Sequence, residues 1–407
     1  MVVSEKQKAA GSEALAINGA EAVAYAMRQA EPDVVAAYPI TPQTLIIEKF
    51  SEYVADGHVR TEFVEVESEH AAMSACIGAA VAGGRAATAT AGPGLALMFE
   101  MLSVASGMRL PIVLHLATRA FSAPLSILCD HSDVMAMREQ GWVLMSGANP
   151  QEAYDQSVVA HKIAEHPDVM IPFANALDGF AVTHVVERVD VLPDDVVRDF
   201  VGEYEPEHYV LKPGVAETFG AWAHRDYYYE LRVQMAEAFK NALPVAEQVL
   251  AEYSELSGRR LRILEPYRLE DAEVALVFLG SADGAVNAAV DAARDSGVKA
   301  GALRVRLYRP FPAKAVADAL AHVQAVGALD RAIAIGSPGN GLFLDVMASL
   351  ATRTGRPAMK SFVYGLGGRD PAKEHFDEAL RQLADPETRE GVPGDTAYLG
   401  LRDGGNE

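Results

Sequence analysis

The chain is poor in cysteine. Its two cysteines in 407 residues, Cys76 and Cys129, lie far apart and outside any CxxC pair. Neither a disulfide framework nor a four-cysteine metal site can be built from them, and the scarcity points to a reducing, cytoplasmic compartment. Positive charge is also short: 35 Lys and Arg stand against 56 Asp and Glu, a formal net charge of −21. That balance argues against nucleic-acid phosphates and against an anionic membrane surface as partners, and its plain meaning is solubility. The first ten residues are polar and lack the apolar core of a secretory signal. The longest apolar stretch, residues 71–98, is interrupted by Gly83-Gly84-Arg85 and Gly92-Pro93-Gly94. It reads as helix, strand and helix rather than a membrane span. GxSxG, HExxH and Walker sequences are absent, which removes support for the common hydrolase, zinc-protease and NTPase readings.

Half of the residues are hydrophobic, and this length suggests two or three domains with large cores. Residues 34–40 read as a strand, with Thr41 as N-cap and Pro42 at the first position of a helix. Residues 59–66 read as the next strand, and Ser68 can cap a helix over 69–82. A strand over 86–90 turns through Gly92-Pro93-Gly94 into a helix over 95–107. Residues 110–117, apolar except for His115, carry the mark of a central parallel strand. Further strands are expected over 142–145 and 169–174. Between them Asn149-Pro150-Gln151-Glu152 opens a helix with a capping-box pattern. Such repeated strand-helix units predict a parallel sheet covered by helices. Residues 191–209 are acidic and irregular. Residues 226–256 form a long amphipathic helical connection with a candidate break at Pro244. A second strand-helix block begins at 274, with strands over 300–307 and 332–335 and helices over 285–296, 313–323 and 341–354. The Gly- and acid-rich end, 391–407, reads as a loose tail.

Ligands of open parallel sheets bind beyond the carboxyl ends of the strands. Glu69 stands at such a handover, on the first turn of a helix, where it serves either chemistry or capping. Arg119 follows the buried strand over 110–117 and could bind a carboxylate bidentately or form a surface ion pair. Gly92-Pro93-Gly94 sits where a phosphate loop would, but lacks the P-loop lysine and spends a donor on proline. A turn near a ligand and a plain connector both fit it. Asp130-His131-Ser132-Asp133 gathers ligand-type residues without a second histidine nearby. A hydrogen-bonded turn accounts for it, and no metal site is indicated.

Taken in order, Tyr38-Pro39-Ile40-Thr41-Pro42, Glu67-Ser68-Glu69, Gly92-Pro93-Gly94, Thr118-Arg119-Ala120, Asp130-His131-Ser132-Asp133, Arg309-Pro310-Phe311-Pro312, Asp330-Arg331 and Gly365-Leu366-Gly367-Gly368-Arg369-Asp370 resemble the α subunit of thiamine-diphosphate-dependent 2-oxoacid:acceptor oxidoreductases, of the pyruvate:ferredoxin oxidoreductase type. The resemblance spans residues 12–385. It implies an α/β fold of two domains with mainly parallel, helix-flanked sheets. A pyrimidine-binding thiamine domain with its helical connection would occupy 1–240, and a transketolase C-terminal-like domain 260–390. It places the family's activating glutamate on Glu69, which would bond the aminopyrimidine ring nitrogen and promote loss of the thiazolium proton. Thr41 and Arg119 would bind the 2-oxoacid, and Ile40 and Gly92 would touch the cofactor.

The resemblance also implies what lies elsewhere. The family holds the diphosphate through Mg²⁺ with a GDG motif, and no GDG occurs here; cysteines for iron-sulfur clusters are too few. A β subunit would carry the diphosphate and Mg²⁺, and ferredoxin-like and γ-type subunits would complete a complex bearing [4Fe-4S] clusters. The implied reaction is CoA-dependent oxidative decarboxylation of a 2-oxoacid, pyruvate favoured, with ferredoxin or another acceptor taking the electrons. Phenylglyoxylate, branched-chain and 2-oxoglutarate enzymes, an E1-type thiamine enzyme without iron-sulfur chemistry, and a non-catalytic scaffold are the alternatives.

Overall fold

The computed structural model describes residues 11–391 and 394–402. The polar N-terminal ten residues and most of the end of the tail lie outside the described residues. Fifteen strands run in chain order: β1 Glu13–Asn18, β2 Val34–Ala37, β3 Glu62–Glu65, β4 Ala86–Thr90, β5 Val113–Thr118, β6 Val143–Gly147, β7 Phe173–Asp178, β8 Val186–Val191, β9 Leu264–Tyr267, β10 Val274–Phe278, β11 Ala300–Val305, β12 Leu307–Arg309, β13 Ala325–Asp330, β14 Ala358–Val363 and β15 Thr396–Tyr398. They build a seven-stranded sheet of order β12-β6-β7-β5-β4-β2-β3, a six-stranded sheet of order β15-β14-β13-β10-β11-β9, and the ribbon β1-β8. The large sheet is parallel except for β12, which pairs antiparallel with β6. In the second sheet only β9 is antiparallel.

Composition explains the layers. Every residue of β4, β5, β6 and β7 is buried, as a sheet covered on both faces requires. On the helix Glu69–Ala82, Ala72, Met73, Cys76, Ile77 and Ala80 are buried at helical spacing and face that sheet. Fully buried Phe50 and Phe173 each contribute roughly 1.5–3 kcal/mol by leaving water. Among the described residues no helix is long and apolar enough to cross a membrane.

Several expectations are corrected. The helix after β2 starts at Thr44, and its N-cap position is Gln43, not Thr41. The helix expected over 95–107 is two helices, Gly92–Leu97 and Phe99–Gly107, meeting at Met98. The helix Tyr228–Ser257 passes through Pro244 without ending. The strand expected over 332–335 is instead β13, with Ile335 left 95% exposed in the following loop. Residues 396–398 of the expected loose tail form β15, paired in parallel with β14.

Asn149 caps the helix Pro150–Ala164 by accepting the Glu152 N–H at 2.9 Å, as the sequence predicts. Glu152 does more than complete that cap. Its carboxylate accepts the Ala148 N–H and pairs with Arg304 and Arg306, both at 2.7 Å. Those arginines come from β11 and the residue following it, so the cap of one sheet's helix is an ionic tie to the other sheet. Burial disfavours the charged carboxylate, yet Arg306 and Arg304 outweigh it and hold the group down from 4.5 to about 2. The stability it supplies is therefore present above pH 4.5 and lost as pH falls toward about 2. Thermal scans across acid pH should show this loss in the native protein and a smaller one in Glu152→Gln. That variant should be less stable near neutrality by about 3–5 kcal/mol, the cost of breaking a buried pair.

Candidate active site

The carboxyl ends of the parallel strands in the large sheet converge on one rim. Thr41 follows β2, Glu69 follows β3, Gly92 follows β4, Arg119 follows β5, and Asp178 closes β7. The turn after β2 is shaped by Gln43, which is fully buried. Its Oε1 accepts the Ile40 N–H at 3.1 Å and its Nε2 donates to the Ala89 carbonyl at 3.0 Å. The Ile40 carbonyl in turn accepts the N–H groups of Gln43 and Thr44. Ile40 thus has its backbone N–H engaged within the turn. Gln43 carries no motif signal, since a buried amide looks like any polar residue at a helix start.

Ser68 caps the helix Glu69–Ala82 by accepting the Ala71 N–H at 3.2 Å. This relieves Glu69 of capping duty, although the residue is only 5% exposed. Its carboxylate lies against Gly94: a Cβ on that glycine would sit 2.5 Å from both Glu69 Oε1 and Thr90 Oγ1. The Thr90 hydroxyl is buried and has no hydrogen-bond partner among the described residues. Glu69 and Thr90 are thus packed against the bare Gly94, and the Thr90 hydroxyl is left without a partner among the described residues.

Thr41 and Arg119 come together. Arg119 Nη1 donates to the Thr41 carbonyl at 3.0 Å and Nε donates to the Ser126 carbonyl at 3.1 Å. Burial pulls the Arg119 guanidinium below its ordinary range, opposed by Asp133. Gly92, with φ +27°, presses against the Arg119 carbonyl, where a Cβ would lie 2.8 Å from that oxygen. Its N–H is not free for a phosphate, because Asp133 Oδ2 accepts it at 3.1 Å. Asp133 Oδ2 also accepts the Arg119 N–H at 2.9 Å, and Oδ1 accepts that of Val134 at 2.8 Å. Burial pushes the Asp133 carboxyl well up, against the pull of these N–H donors.

Behind the rim lies an ionic knot. His131 Nε2 meets Asp178 Oδ1 at 2.8 Å, while Asp178 Oδ2 accepts from Arg331 Nη1 at 2.8 Å and Ser281 Oγ at 2.6 Å. Burial opposes the Asp178 charge, but His131, Arg331 and Ser281 keep the group far below the usual carboxylate range. Cys129, His131 and Asp178 are close enough to suggest a cation site. Arg331 already supplies the compensating charge there, and a dication would have to sit beside a guanidinium. The Gly365–Asp370 motif completes the frame. Gly368 N–H donates to the Cys129 carbonyl at 2.7 Å, and the Gly365 carbonyl accepts from Arg331 Nε at 3.1 Å.

A family profile described as "Pyruvate flavodoxin/ferredoxin oxidoreductase, thiamine diP-bdg" matches residues 25–251, more than half of the chain. This chain belongs to the pyruvate flavodoxin/ferredoxin oxidoreductase family. A second profile, "Pyruvate:ferredoxin oxidoreductase core domain II", matches residues 272–376. Pyruvate synthase subunit PorA of Thermotoga maritima is 46% identical over 96% of this chain and 99% of its own length. The Pyrococcus furiosus subunit of that name is 42% identical over 94% and 96%. Ketoisovalerate oxidoreductase subunit VorA of Pyrococcus horikoshii is 40% identical over 87% and 89%. Among solved structures, 2-oxoglutarate:ferredoxin oxidoreductase from Magnetococcus marinus shares the fold at a TM-score of 0.70 and 19% identity, covering 92% of this chain and 65% of that one. A split-gene transketolase does so at 0.56 and 13%, covering 92% and 100%.

The family's first domain binds thiamine diphosphate, and one end of that cofactor fits what this chain offers. Glu69 offers a carboxylate acceptor and Thr90 an orphaned hydroxyl, polar groups that suit an aminopyrimidine. For the diphosphate the turn after β4 offers little, since the Gly92 N–H is spent on Asp133 and Pro93 has none. Gly94→Ala would drive a methyl group into Glu69 and Thr90. It should lower turnover of the assembled enzyme by on the order of 100-fold, as expected for displacing a reacting group by about 1 Å. Steady-state rates of the folded variant check this, beside a thermal midpoint lowered by an overpacking cost of about 1–3 kcal/mol.

Proposed function

We propose that this chain is the α-type subunit of a 2-oxoacid:ferredoxin oxidoreductase that oxidises pyruvate, with CoA, to acetyl-CoA and CO₂. The observation that carries the reading is the joining of Arg119 to Thr41 at 3.0 Å on the same strand-end rim as buried Glu69. Thiamine diphosphate, when bound, supplies the thiazolium carbon that adds to the 2-oxo carbon. Glu69 holds the aminopyrimidine and the proton shared with its ring nitrogen. Arg119 offers its remaining donors to the substrate carboxylate, and the exposed Thr41 hydroxyl serves the oxo or carboxylate oxygens. Ile40 and Gly92 line the cofactor by contact, their N–H groups being spent inside the protein.

A β subunit supplies the diphosphate and Mg²⁺ ligands in this reading, and ferredoxin-like and γ-type partners carry the [4Fe-4S] clusters. Electrons leave to ferredoxin or another acceptor. The two buried free cysteines accord with a reducing, cytoplasmic setting. The chain divides into a pyrimidine-side domain with its helical connection, 1–240, and a transketolase C-terminal-like domain, 260–390. The profile matches to 25–251 and 272–376 support that division.

The purified complex, given pyruvate, CoA and a viologen dye, should reduce the dye only when CoA is present. A panel with branched-chain 2-oxoacids, 2-oxoglutarate and phenylglyoxylate should show highest kcat/KM for pyruvate. Glu69→Gln should cut kcat by roughly 10²–10⁴-fold, the range for a proton-transfer group. Arg119→Ala should raise the KM for the 2-oxoacid while leaving thiamine diphosphate affinity near native; equal loss of both would refute its role. By calorimetry, the isolated chain should bind thiamine diphosphate far more weakly than the complex.

A further inference from the structure

We propose that Asp133 is a positioning residue for the 2-oxoacid, acting through Arg119 and through the Gly92–Gly94 turn; this rests on the role given above to Arg119. Three backbone donors from three places in the chain converge on its side chain. Oδ2 takes Gly92 N–H at 3.1 Å and Arg119 N–H at 2.9 Å, and Oδ1 takes Val134 N–H at 2.8 Å. The residue is fully buried, so no water replaces a lost bond.

One oxygen thus ties together the two halves of the rim. On one side it fixes the backbone from which the Arg119 side chain reaches Thr41 and Ser126. On the other it fixes the start of the turn whose third residue, Gly94, lies against Glu69 and Thr90. Gly92 also packs close to the Arg119 carbonyl, where a Cβ would lie 2.8 Å from that oxygen. Asp133 therefore sets the distance between the group that holds the substrate carboxylate and the wall that holds Glu69.

The chemistry of the side chain makes the test specific. A carboxylate presents acceptors on both oxygens, whereas an amide of the same shape presents one acceptor and one donor. In Asp133→Asn the NH₂ group must face either Val134 N–H or the Gly92–Arg119 pair, so at least one donor loses its acceptor with no change in volume. In the purified complex the KM for pyruvate should rise on the order of 10- to 100-fold, the effect of a misplacement of about 1 Å. The KM for CoA should stay native. A merely structural role would lower the thermal midpoint while the folded enzyme kept its native KM for pyruvate. That result, or a parallel rise in the KM for CoA, overturns the proposal.

Should Asp133→Asn yield no complex, Asp133→Ser, which keeps one acceptor, is read in the same way. Failure of both to assemble assigns Asp133 to folding and also overturns the proposal. Arg119→Lys run in parallel separates the two levels. If it leaves the KM for pyruvate native, the reading of Arg119 falls. If it raises that KM while Asp133→Asn does not, only the positioning role falls.

Discussion

Asp178 ends β7 with its carboxylate 1% exposed, and both of its oxygens are claimed by groups from elsewhere in the chain. His131 comes from the loop after β5, Ser281 from the end of β10 and Arg331 from the end of β13. A carboxylate, an imidazole and a guanidinium removed from water would each be costly alone. Together, with hydrogen bonds on both oxygens, they offset one another, and taking one away would leave uncompensated charge in the interior. The rim bearing Thr41, Glu69 and Arg119 is laid on this knot. The helix start that carries His131 at its cap position also supplies Asp133, which grips the backbone of Arg119 and Gly92. Motifs of the second sheet, far from Thr41, Glu69 and Arg119 in sequence, are thus the frame on which those residues rest.

A second tie works at the other end of the same surface. β12 lies in the chain after β11 of the six-stranded sheet, yet it pairs with β6 at the edge of the seven-stranded one. Beside it Glu152 joins Arg304 and Arg306. Backbone pairing and ionic pairing therefore cross the same boundary. Separating the sheets would expose both a strand edge and a cluster of buried charges.

What the sequence made legible is what local chemistry decides. Glu69–Ala82 and β4 match their expected bounds because serine capping and a run of small apolar residues leave little choice. Thr41 misled because threonine before proline is a good helix start, while the actual turn is closed by a buried Gln43 that reaches across to Ala89. The β1 and β8 strands escaped notice because the short run Ala14-Leu15-Ala16-Ile17 and the alternating valines of residues 186–191 stand outside the strand-helix repeat. Ala332-Ile333-Ala334-Ile335 drew the strand assignment away from β13, whose glycine and terminal aspartate weaken its pattern. The ionic knot could not be read at all. His131 and Asp178 are 47 residues apart, and Arg331 and Asp178 are 153 apart. No spacing rule reports a contact that only the sheet order creates. The packing of Glu69 depends likewise on Gly94, whose missing side chain lets Glu69 and Thr90 lie against it.

The two hydrogen bonds of the Arg119 guanidinium end on neutral carbonyl oxygens, those of Thr41 and Ser126. Carbonyls orient a cation without cancelling it, as a carboxylate partner would. The protein as a whole carries −21, so a small anion drifting toward it meets a repulsive field at long range. Salt in solution damps that distant field within about 10 Å at 0.1 M, while a charge held in a low-dielectric rim keeps its pull at close quarters. Arg119 is then a local reversal of sign on an acidic surface.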